Sequence, residues 1–282
     1  MKNLFILFLG IFLVFPALAQ RLDVVTFASS EKSGFVNCYI LPSGKKSILV
    51  DAPMSVKDAH RLIDTIIRLN RHISGLFITT ASPYHLLGVS EIKKAFPSIR
   101  IMAVHEVAEE IEKTGPRNYA YFKPAMGTDM PEKLIMPDSI VENSLTLENC
   151  RLEVHSLQDG ESFVTSILYE PKQQLLFSSD IVNNKVHLNM VSARLDGWIK
   201  ELEELKKYSV YELYPGYGEP AKAGSLDICI NYIQTFQQAL ITNDPVAVFD
   251  IMQFYFPDYL SPGKLKAAIG KFMVGTEKVL KH

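Results

Sequence analysis

The sequence predicts a layered α/β fold in one domain, followed by a helical tail. Strand patterns fall into two groups, one in each half of the chain, and amphipathic helical patterns interleave with both groups. Of the 282 residues, 48% are hydrophobic and 21% are charged, a composition that supports a large core and excludes intrinsic disorder. No internal repeat and no low-complexity linker divides the chain.

In the first half, a strand meander precedes helices that alternate with strands. Short apolar runs predict the strands, and apolar residues at three- and four-residue spacing predict the helices. The predicted strands are 24–27, 35–41, 48–50, 76–78 and 99–104, and the predicted helices cover 59–67 and 86–96. The stretch 106–137 has no clear period, and the sequence leaves the role of residues 115–131 open.

The second half repeats the mixture of strands and helices and then becomes helical. Strands are predicted at 145–147, 151–154, 163–169, 174–177 and 211–214, with a helix over 193–207. Apolar stripes predict three further helices, at 226–240, around 251 and at 265–272. We therefore expect a domain over 20–224 and a C-terminal helical extension over 225–282 that packs on it.

The N-terminus has the pattern of a signal peptide. Lys2 precedes an apolar run from Leu4 to Phe15, and small residues at Ala17 and Ala19 form a cleavage site. The run is about 18 Å long as a helix, too short for a hydrocarbon core of about 30 Å. We expect removal of residues 1–19 and export to the periplasm or the cell exterior. Beyond these residues no integral membrane segment is predicted, because no later apolar stretch reaches eighteen residues.

Charge and cysteine content exclude two further classes of protein. The formal net charge is −2, and Lys and Arg form no block, so the sequence lacks the basic footprint of a nucleic-acid-binding protein. Three cysteines cannot form a disulfide scaffold. Cys38, Cys150 and Cys229 lie in strand or helix patterns, where buried thiols are expected.

Three loops next to predicted strands could carry chemistry, because strand ends that feed loops hold the sites of α/β folds. Each loop taken alone is also compatible with ordinary turn formation by Gly, Pro and Asp. The three loops are 79–88, then 159–162 together with 177–180, and finally 214–220.

Taken in order, these segments resemble the metallo-β-lactamase fold family over about residues 34–220. The strand 48–50 ends in Asp51, and 78–88 occupies the place of the family's Thr-His-x-His-x-Asp-His-x-x-Gly signature. Residues 160–169 are similar to its Gly-His-Thr-x-Gly strand, and 215–218 are similar to its Pro-Gly-His-Gly motif. The resemblance implies a four-layer αβ/βα sandwich, with C-terminal helices in this chain.

The resemblance also implies where the family's two zinc ions would be held, and this sequence departs from the family at most of those positions. The corresponding residues are Thr80, Ser82 and Glu161 for one ion, Tyr84, His85 and Tyr217 for the other, and Asp180 as the bridge. Only His85 and Asp180 keep the family's residue types. Since neutral hydroxyls are poor zinc ligands, no metal site and no cofactor are predicted.

The leading prediction is an exported protein with this fold that has lost the binuclear zinc site and acts as a non-zinc ligand-binding protein or pseudoenzyme. Its cleft would hold a small organic molecule between the aromatic walls of Tyr84 and Tyr217. The sequence names neither the ligand nor the oligomeric state.

Two alternatives remain open from the sequence. If the protein is an enzyme, the resemblance implies a hydrolase, with a single metal such as zinc on His85, Glu161 and Asp180 or with metal-free acid–base chemistry. The third hypothesis is ferric iron bound by Tyr84, His85, Asp180 and Tyr217, because phenolates and carboxylates suit a hard cation. His187 follows the Asp180 segment and is a further candidate imidazole.

Overall fold

The structure is a computed structural model, and it describes residues 22–148 and 150–273. The signal peptide predicted at 1–19 lies outside the described residues. The first sheet contains β1 (Val25–Ala28), β2 (Asn37–Ser43), β3 (Lys46–Val50), β4 (His72–Phe77), β5 (Arg100–Ala103) and β6 (Ser139–Ile140), hydrogen-bonded in that order. The chain runs antiparallel through β1–β3 and parallel from β3 to β6. The helices of this half are α1 (Val56–Arg68), α2 (Pro83–Leu86), α3 (Val89–Ala95) and α4 (His105–Met126).

The second sheet is built from the later strands and is followed by the helical tail. Its strands are β7 (Ser144–Thr146), β8 (Arg151–Gln158), β9 (Val164–Glu170), β10 (Leu175–Asn183) and β11 (Glu212–Tyr217), in the order β11-β10-β9-β8-β7. The β10–β11 pair is parallel, and the others are antiparallel. The remaining helices are α5 (Leu195–Leu205), α6 (Gly224–Ala239), α7 (Pro245–Tyr255) and α8 (Pro262–Phe272).

Two apolar cores hold four layers together. The first core combines residues of both sheets, such as Leu49 and Phe177, with residues of α1, α3 and α4, such as Leu62. The second combines residues of the second sheet with residues of α5–α8, such as Trp198 and Leu265. The layers are therefore helices, sheet, sheet and helices, which confirms the predicted αβ/βα sandwich.

Several elements differ from the sequence prediction: β6 was not predicted, the helix expected over 86–96 is divided into α2 and α3, and α4 and β10 differ most. The undeciphered stretch contains the 22-residue helix α4, whose pattern is masked by Pro116 and Pro124 inside it. Strand β10 continues to Asn183, six residues beyond the expected end, and every residue in it is buried. The polar residues at 178–180 look like a turn in the sequence, but they lie inside this strand. Asp180 is therefore held in a strand rather than in a mobile loop.

The predictions on membrane segments and on cysteines concern residues that the structure describes. Within them, no helix has the length and apolar character needed to cross a membrane. Cys38, Cys150 and Cys229 are buried and unbridged, as predicted.

Single β-bridges join the two sheets and the tail at one end of the sandwich. Thr80 pairs with Thr165 across the sheets, and Val36 pairs with Tyr217. Close to them, Leu260 of the α7–α8 connection forms a bridge with Val186, so the start of α8 is fixed at the same end. Thr80 and Tyr217, which occupy zinc-ligand positions of the resemblance, therefore lie at the same end of the sandwich as the start of the C-terminal helix α8.

Candidate functional site

The site contains a buried pair between Asp51 and His85. Asp51 directly follows β3, and its carboxylate accepts the backbone N–H of Thr79 at 2.8 Å and the Thr79 hydroxyl at 2.7 Å. The same carboxylate lies 2.9 Å from Nδ1 of His85 on α2. The Asp51 backbone has φ +63°, a conformation that Asp and Asn adopt more readily than most residues. Asp51 therefore orients the imidazole.

This pairing sets the charge of His85. Burial is the largest influence and disfavours the imidazolium, but the carboxylate of Asp51, together with those of Asp180 and Glu161, raises the pKa of His85 above its ordinary value. The other ring nitrogen, Nε2, is buried and has no hydrogen-bond partner among the described residues. His85 consequently presents one free, buried nitrogen to the interior of the site.

Asp180 is fully engaged by neighbouring hydroxyl groups. Ser162 donates to its Oδ2 at 2.6 Å, and Thr165 donates to its Oδ1 at 2.7 Å. Both carboxylate oxygens are therefore used within the protein.

Glu161 is less well satisfied than Asp180. Its Oε1 lies 3.2 Å from the amide nitrogen of Asn189 and 3.5 Å from the hydroxyl of Tyr217. Its Oε2 is buried without a partner in the described part of the chain. Burial raises the pKa of Glu161 to about 7, with Asp180 adding to the increase and Lys264 opposing it. Glu161 is therefore poised between its acid and its carboxylate near neutral pH.

The remaining residues at the zinc-ligand positions of the resemblance pack around the cluster. Thr80 is buried and contacts the backbone carbonyl of Val164 at 3.4 Å, and Ser82 is half-buried beside it. Tyr217 is completely buried, and its ring meets that of His85 edge-on with centroids 5.5 Å apart. Tyr84 is half-buried at the outer side, where its ring packs edge-on against Phe122.

The site also contains a charged residue, Lys264, that was not predicted from the sequence. Lys264, in the first turn of α8, places its ammonium 3.4 Å from the centre of the Tyr217 ring. Its Nζ is buried and has no hydrogen-bond partner among the residues that the structure describes. Burial lowers the pKa of Lys264 to about 8, although Glu161 and Asp180 attract its charge.

One sequence signal could have identified Lys264. It lies four residues before Ala268 and next to Leu265, and both of these residues are buried. Residues four apart share a helix face, so a lysine at this position is directed towards the core side of α8. The signal is weak because lysines commonly occupy the borders of apolar stripes, with the ammonium in water.

His187 is placed outside this cluster of contacts. Its Nδ1 is 2.6 Å from the hydroxyl of Tyr232, and its Nε2 is 3.0 Å from the side-chain amide of Gln253. Both ring nitrogens are thus occupied by the helical tail, and His187 has no free nitrogen to offer as a replacement imidazole.

Two facing sheets, with helices outside both and a polar cluster at one end, define this chain as an αβ/βα sandwich protein. Among solved structures it is similar to a metallo-β-lactamase from Pontibacter korlensis, with a TM-score of 0.61 and 16% identity over 76% of this chain and 99% of that one. It is also similar to the DIM-1 metallo-β-lactamase, with a TM-score of 0.57 and 18% identity over 75% of this chain and 92% of that one. The chain therefore has the metallo-β-lactamase fold. No protein-family model and no curated protein matches its sequence.

The residues at the family positions do not fit a zinc site. In the described part of the chain, no three His, Cys, Asp or Glu side chains are grouped so that they could hold a metal ion. Both oxygens of Asp180 already accept hydroxyl protons, and the ammonium of Lys264 adds a positive charge beside Glu161. A zinc ion would have to displace these contacts and overcome repulsion from the lysine.

Proposed function

We propose that this is an exported protein that has lost the binuclear zinc site of its fold and binds a small organic molecule in its place. The observation that carries the proposal is the buried ammonium of Lys264, which lies on the ring of Tyr217 beside Glu161 and Asp180. It supplies from within the chain a positive charge that partly balances the carboxylates. The protein then has no need of a metal for this balance.

The state of the two tyrosines also favours a metal-free cleft. Burial and the neighbouring Glu161 raise the pKa of both Tyr84 and Tyr217, and the increase is large for Tyr217. Phenols with raised pKa values stay protonated at neutral pH and act as hydrogen-bonding walls. The phenolate ligands required by the ferric-iron hypothesis would form only against this tendency.

The features suited to a small polar ligand are three buried atoms, on His85, Glu161 and Lys264, that have no hydrogen-bond partner in the part of the chain that the structure describes. Such atoms cost free energy when they stay unsatisfied, and a bound molecule with complementary polar groups would recover it. Export is supported by the N-terminal pattern of Lys2 and the apolar run that follows. An N-terminus at Gln20 in the secreted protein is the expected result of sequencing.

Metal analysis and zinc titration test the loss of the zinc site. We expect protein purified without chelator to contain far less than one zinc per chain. Because a dication beside an ammonium is repelled, the Lys264→Met variant should bind added zinc at least tenfold more tightly than the wild type in calorimetry. Lys266→Met is the matched control, since Lys266 lies on the same helix over the ring of Phe249. One or two zinc ions per wild-type chain would overturn the proposal.

A second candidate is metal-free hydrolysis by general acid–base chemistry. It is favoured by Glu161 and Lys264, whose pKa values of about 7 and about 8 place both groups close to neutrality. A panel of β-lactam, lactone, thioester and phosphoester substrates tests it, and Glu161→Gln should lower any activity at least 100-fold. Activity that Glu161→Gln leaves intact would remove Glu161 from the mechanism.

A further inference from the structure

The amine of Lys264 is unusual among charged side chains because it is buried without a hydrogen-bond partner in the described residues. The residue itself is only half-buried, so the stem reaches the surface while the nitrogen points inward. The helix start that carries it is fixed by backbone hydrogen bonds, from Leu260 N–H to the Lys185 carbonyl at 2.9 Å and from His187 N–H to the Leu260 carbonyl at 3.0 Å. The position of the amine is therefore built into the fold.

Tyr217 brings the amine together with two other unsatisfied groups. Its ring lies under the Lys264 nitrogen and edge-on to His85, and its hydroxyl lies 3.5 Å from Glu161. Glu161 Oε2 and His85 Nε2 are both buried without partners within the described ranges. A nucleophile, a carboxyl group and an imidazole thus surround the same aromatic ring.

We propose that Lys264 is a covalent binding site that captures a small, neutral aldehyde or ketone as an imine. The inference rests on the proposed function, because it names the class of small organic molecule that the zinc-free cleft takes. A carbonyl oxygen would accept a hydrogen bond from the His85 Nε2–H or from the Oε2–H of protonated Glu161, because neither atom has a partner among the described residues. The carbonyl carbon would then face the amine.

The reaction balances without any other reagent. The amine lone pair bonds to the carbonyl carbon, the π electrons move to oxygen, and this oxygen takes the proton of Glu161. The nitrogen then returns one proton to the Glu161 carboxylate, which gives a neutral carbinolamine. Glu161 finally protonates the hydroxyl, which leaves as water while the nitrogen lone pair closes the C=N bond. The products are a protonated imine, water and the Glu161 carboxylate.

The surroundings of Lys264 favour the free amine that this reaction needs. The ionisable groups that face the lysine are Glu161, Asp180, Tyr217 and His187. With its pKa lowered to about 8, about 10% of Lys264 is unprotonated at pH 7, against about 0.04% of an ordinary lysine. The free-amine fraction therefore differs by roughly 200-fold between them.

Half-buried side chains lie between the cluster and the surface. Ser82, Tyr84 and Asn189 all border the cluster and are partly exposed. The side-chain amide of Asn189 lies 3.2 Å from Oε1 of Glu161. The charge of Glu161 also acts on the hydroxyl of Tyr84 and raises its pKa. In the proposed reaction the carbonyl compound would enter between these side chains, and this requires one of them to change rotamer.

Reductive trapping tests the proposal directly. The purified protein is incubated at pH 7 with propionaldehyde and cyanoborohydride, and the alkylated lysines are located by peptide mass spectrometry. We expect one propyl group per chain at Lys264, formed at least tenfold faster than at Lys266, which lies two residues away in the same peptide and on another face of the helix. The rate at Lys264 should rise with pH through about 8.

Variants separate the contributions of the groups. Glu161→Gln should slow alkylation of Lys264 at least tenfold, because the acid that expels water is lost. Lys266→Met should leave the rate at Lys264 unchanged, and Lys264→Met should abolish the fast phase. Equal rates at Lys264 and Lys266 in the wild type would overturn the imine, whatever the variants do. Zinc-free protein with an unreactive Lys264 would refute this inference alone, whereas stoichiometric zinc would refute the proposed function.

Discussion

His85 and His187 are both completely buried, and yet their pKa values move in opposite directions. Burial lowers the pKa of His187 to about 4, with further repulsion from the ammonium of Lys264. Burial also disfavours the charged form of His85, but the carboxylate of Asp51 at 2.9 Å, with those of Asp180 and Glu161, reverses the direction of the pKa shift. The sign of the shift is therefore decided by the neighbouring charge and not by exposure.

The two histidines also differ in their hydrogen-bond partners. His187 is neutral, and both its nitrogens are engaged by side chains of the helical tail, Tyr232 and Gln253. His85 is held through Nδ1, and its second nitrogen is buried without a partner among residues 22–148 and 150–273. Most buried polar atoms in folded proteins have a hydrogen-bond partner, so an unpartnered imidazole nitrogen calls for an explanation such as a binding role. The comparison thus favours the cluster around His85, and not the tail around His187, as the place where the proposed ligand would bind.

The largest expected effect comes from removing the charge that distinguishes the two histidines. Asp51→Asn keeps the shape and tolerates φ +63°, but it deprives His85 of its carboxylate. The raised pKa of His85 stabilises the fold below pH 6.5, and this stabilisation is lost as pH rises through the folded-state pKa. At pH 6 the variant should lose roughly 3–5 kcal/mol in free energy of unfolding, measured with urea. A loss below about 1 kcal/mol would show that the Asp51–His85 pair is not ionised.

The next largest effect is expected at Glu161. The pKa of this carboxyl group is raised by folding, whereas ion pairing would lower it. Its pKa rises from 4.5 to about 7 on folding, so the folded protein binds more protons than the unfolded chain between these values. Stability from this group is complete below pH 4.5 and falls as pH rises to about 7, by roughly 3 kcal/mol in total. Glu161→Gln should remove this part of the slope in urea titrations between pH 4.5 and 7.

The comparison of wild type with Glu161→Gln cancels the titration of the other carboxylates. Identical slopes for the two proteins would contradict a raised pKa of Glu161. Glu153→Gln is a suitable control, because Glu153 is a partly exposed residue of β8 and lies outside the cluster. It should leave the pH dependence of stability close to that of the wild type.

The fold could be predicted from the sequence where periodicity and motif order reinforce each other. The strands around Asp51 and Phe177, the helix containing Leu62 and the order of the loops all have local patterns that survive in the structure. Helix α4 could not be predicted, because Pro116 and Pro124 interrupt its pattern while its buried face is held by tertiary packing. Local propensity is a weak guide where packing supplies most of the stability.

Only the site residues that lie in the recognised sequence motifs could be predicted. The spacing of the loops identified His85, Glu161 and Asp180, but it carries no information on hydrogen-bond partners. Lys264 lies in the tail, outside every motif, and reaches the cluster only because α8 begins at the bridge between Leu260 and Val186. A long-range contact of this kind depends on how helices pack on the second sheet. The charge balance of the cleft could therefore be derived only from the structure.

The smallest effect is expected at the neutral histidine. Tyr232→Phe removes the hydroxyl that lies 2.6 Å from Nδ1 of His187 and leaves the nitrogen buried without that partner. Such a change should cost about 1–2 kcal/mol in free energy of unfolding. Since His187 titrates near pH 4, the cost should be the same at pH 6 and at pH 8, in contrast to the loss in Asp51→Asn, which should be greater at pH 6. Urea denaturation of both variants at the two pH values measures this difference. A cost for Tyr232→Phe that grows at pH 6 would mean that His187 is charged there, and the contrast between the two histidines would fail.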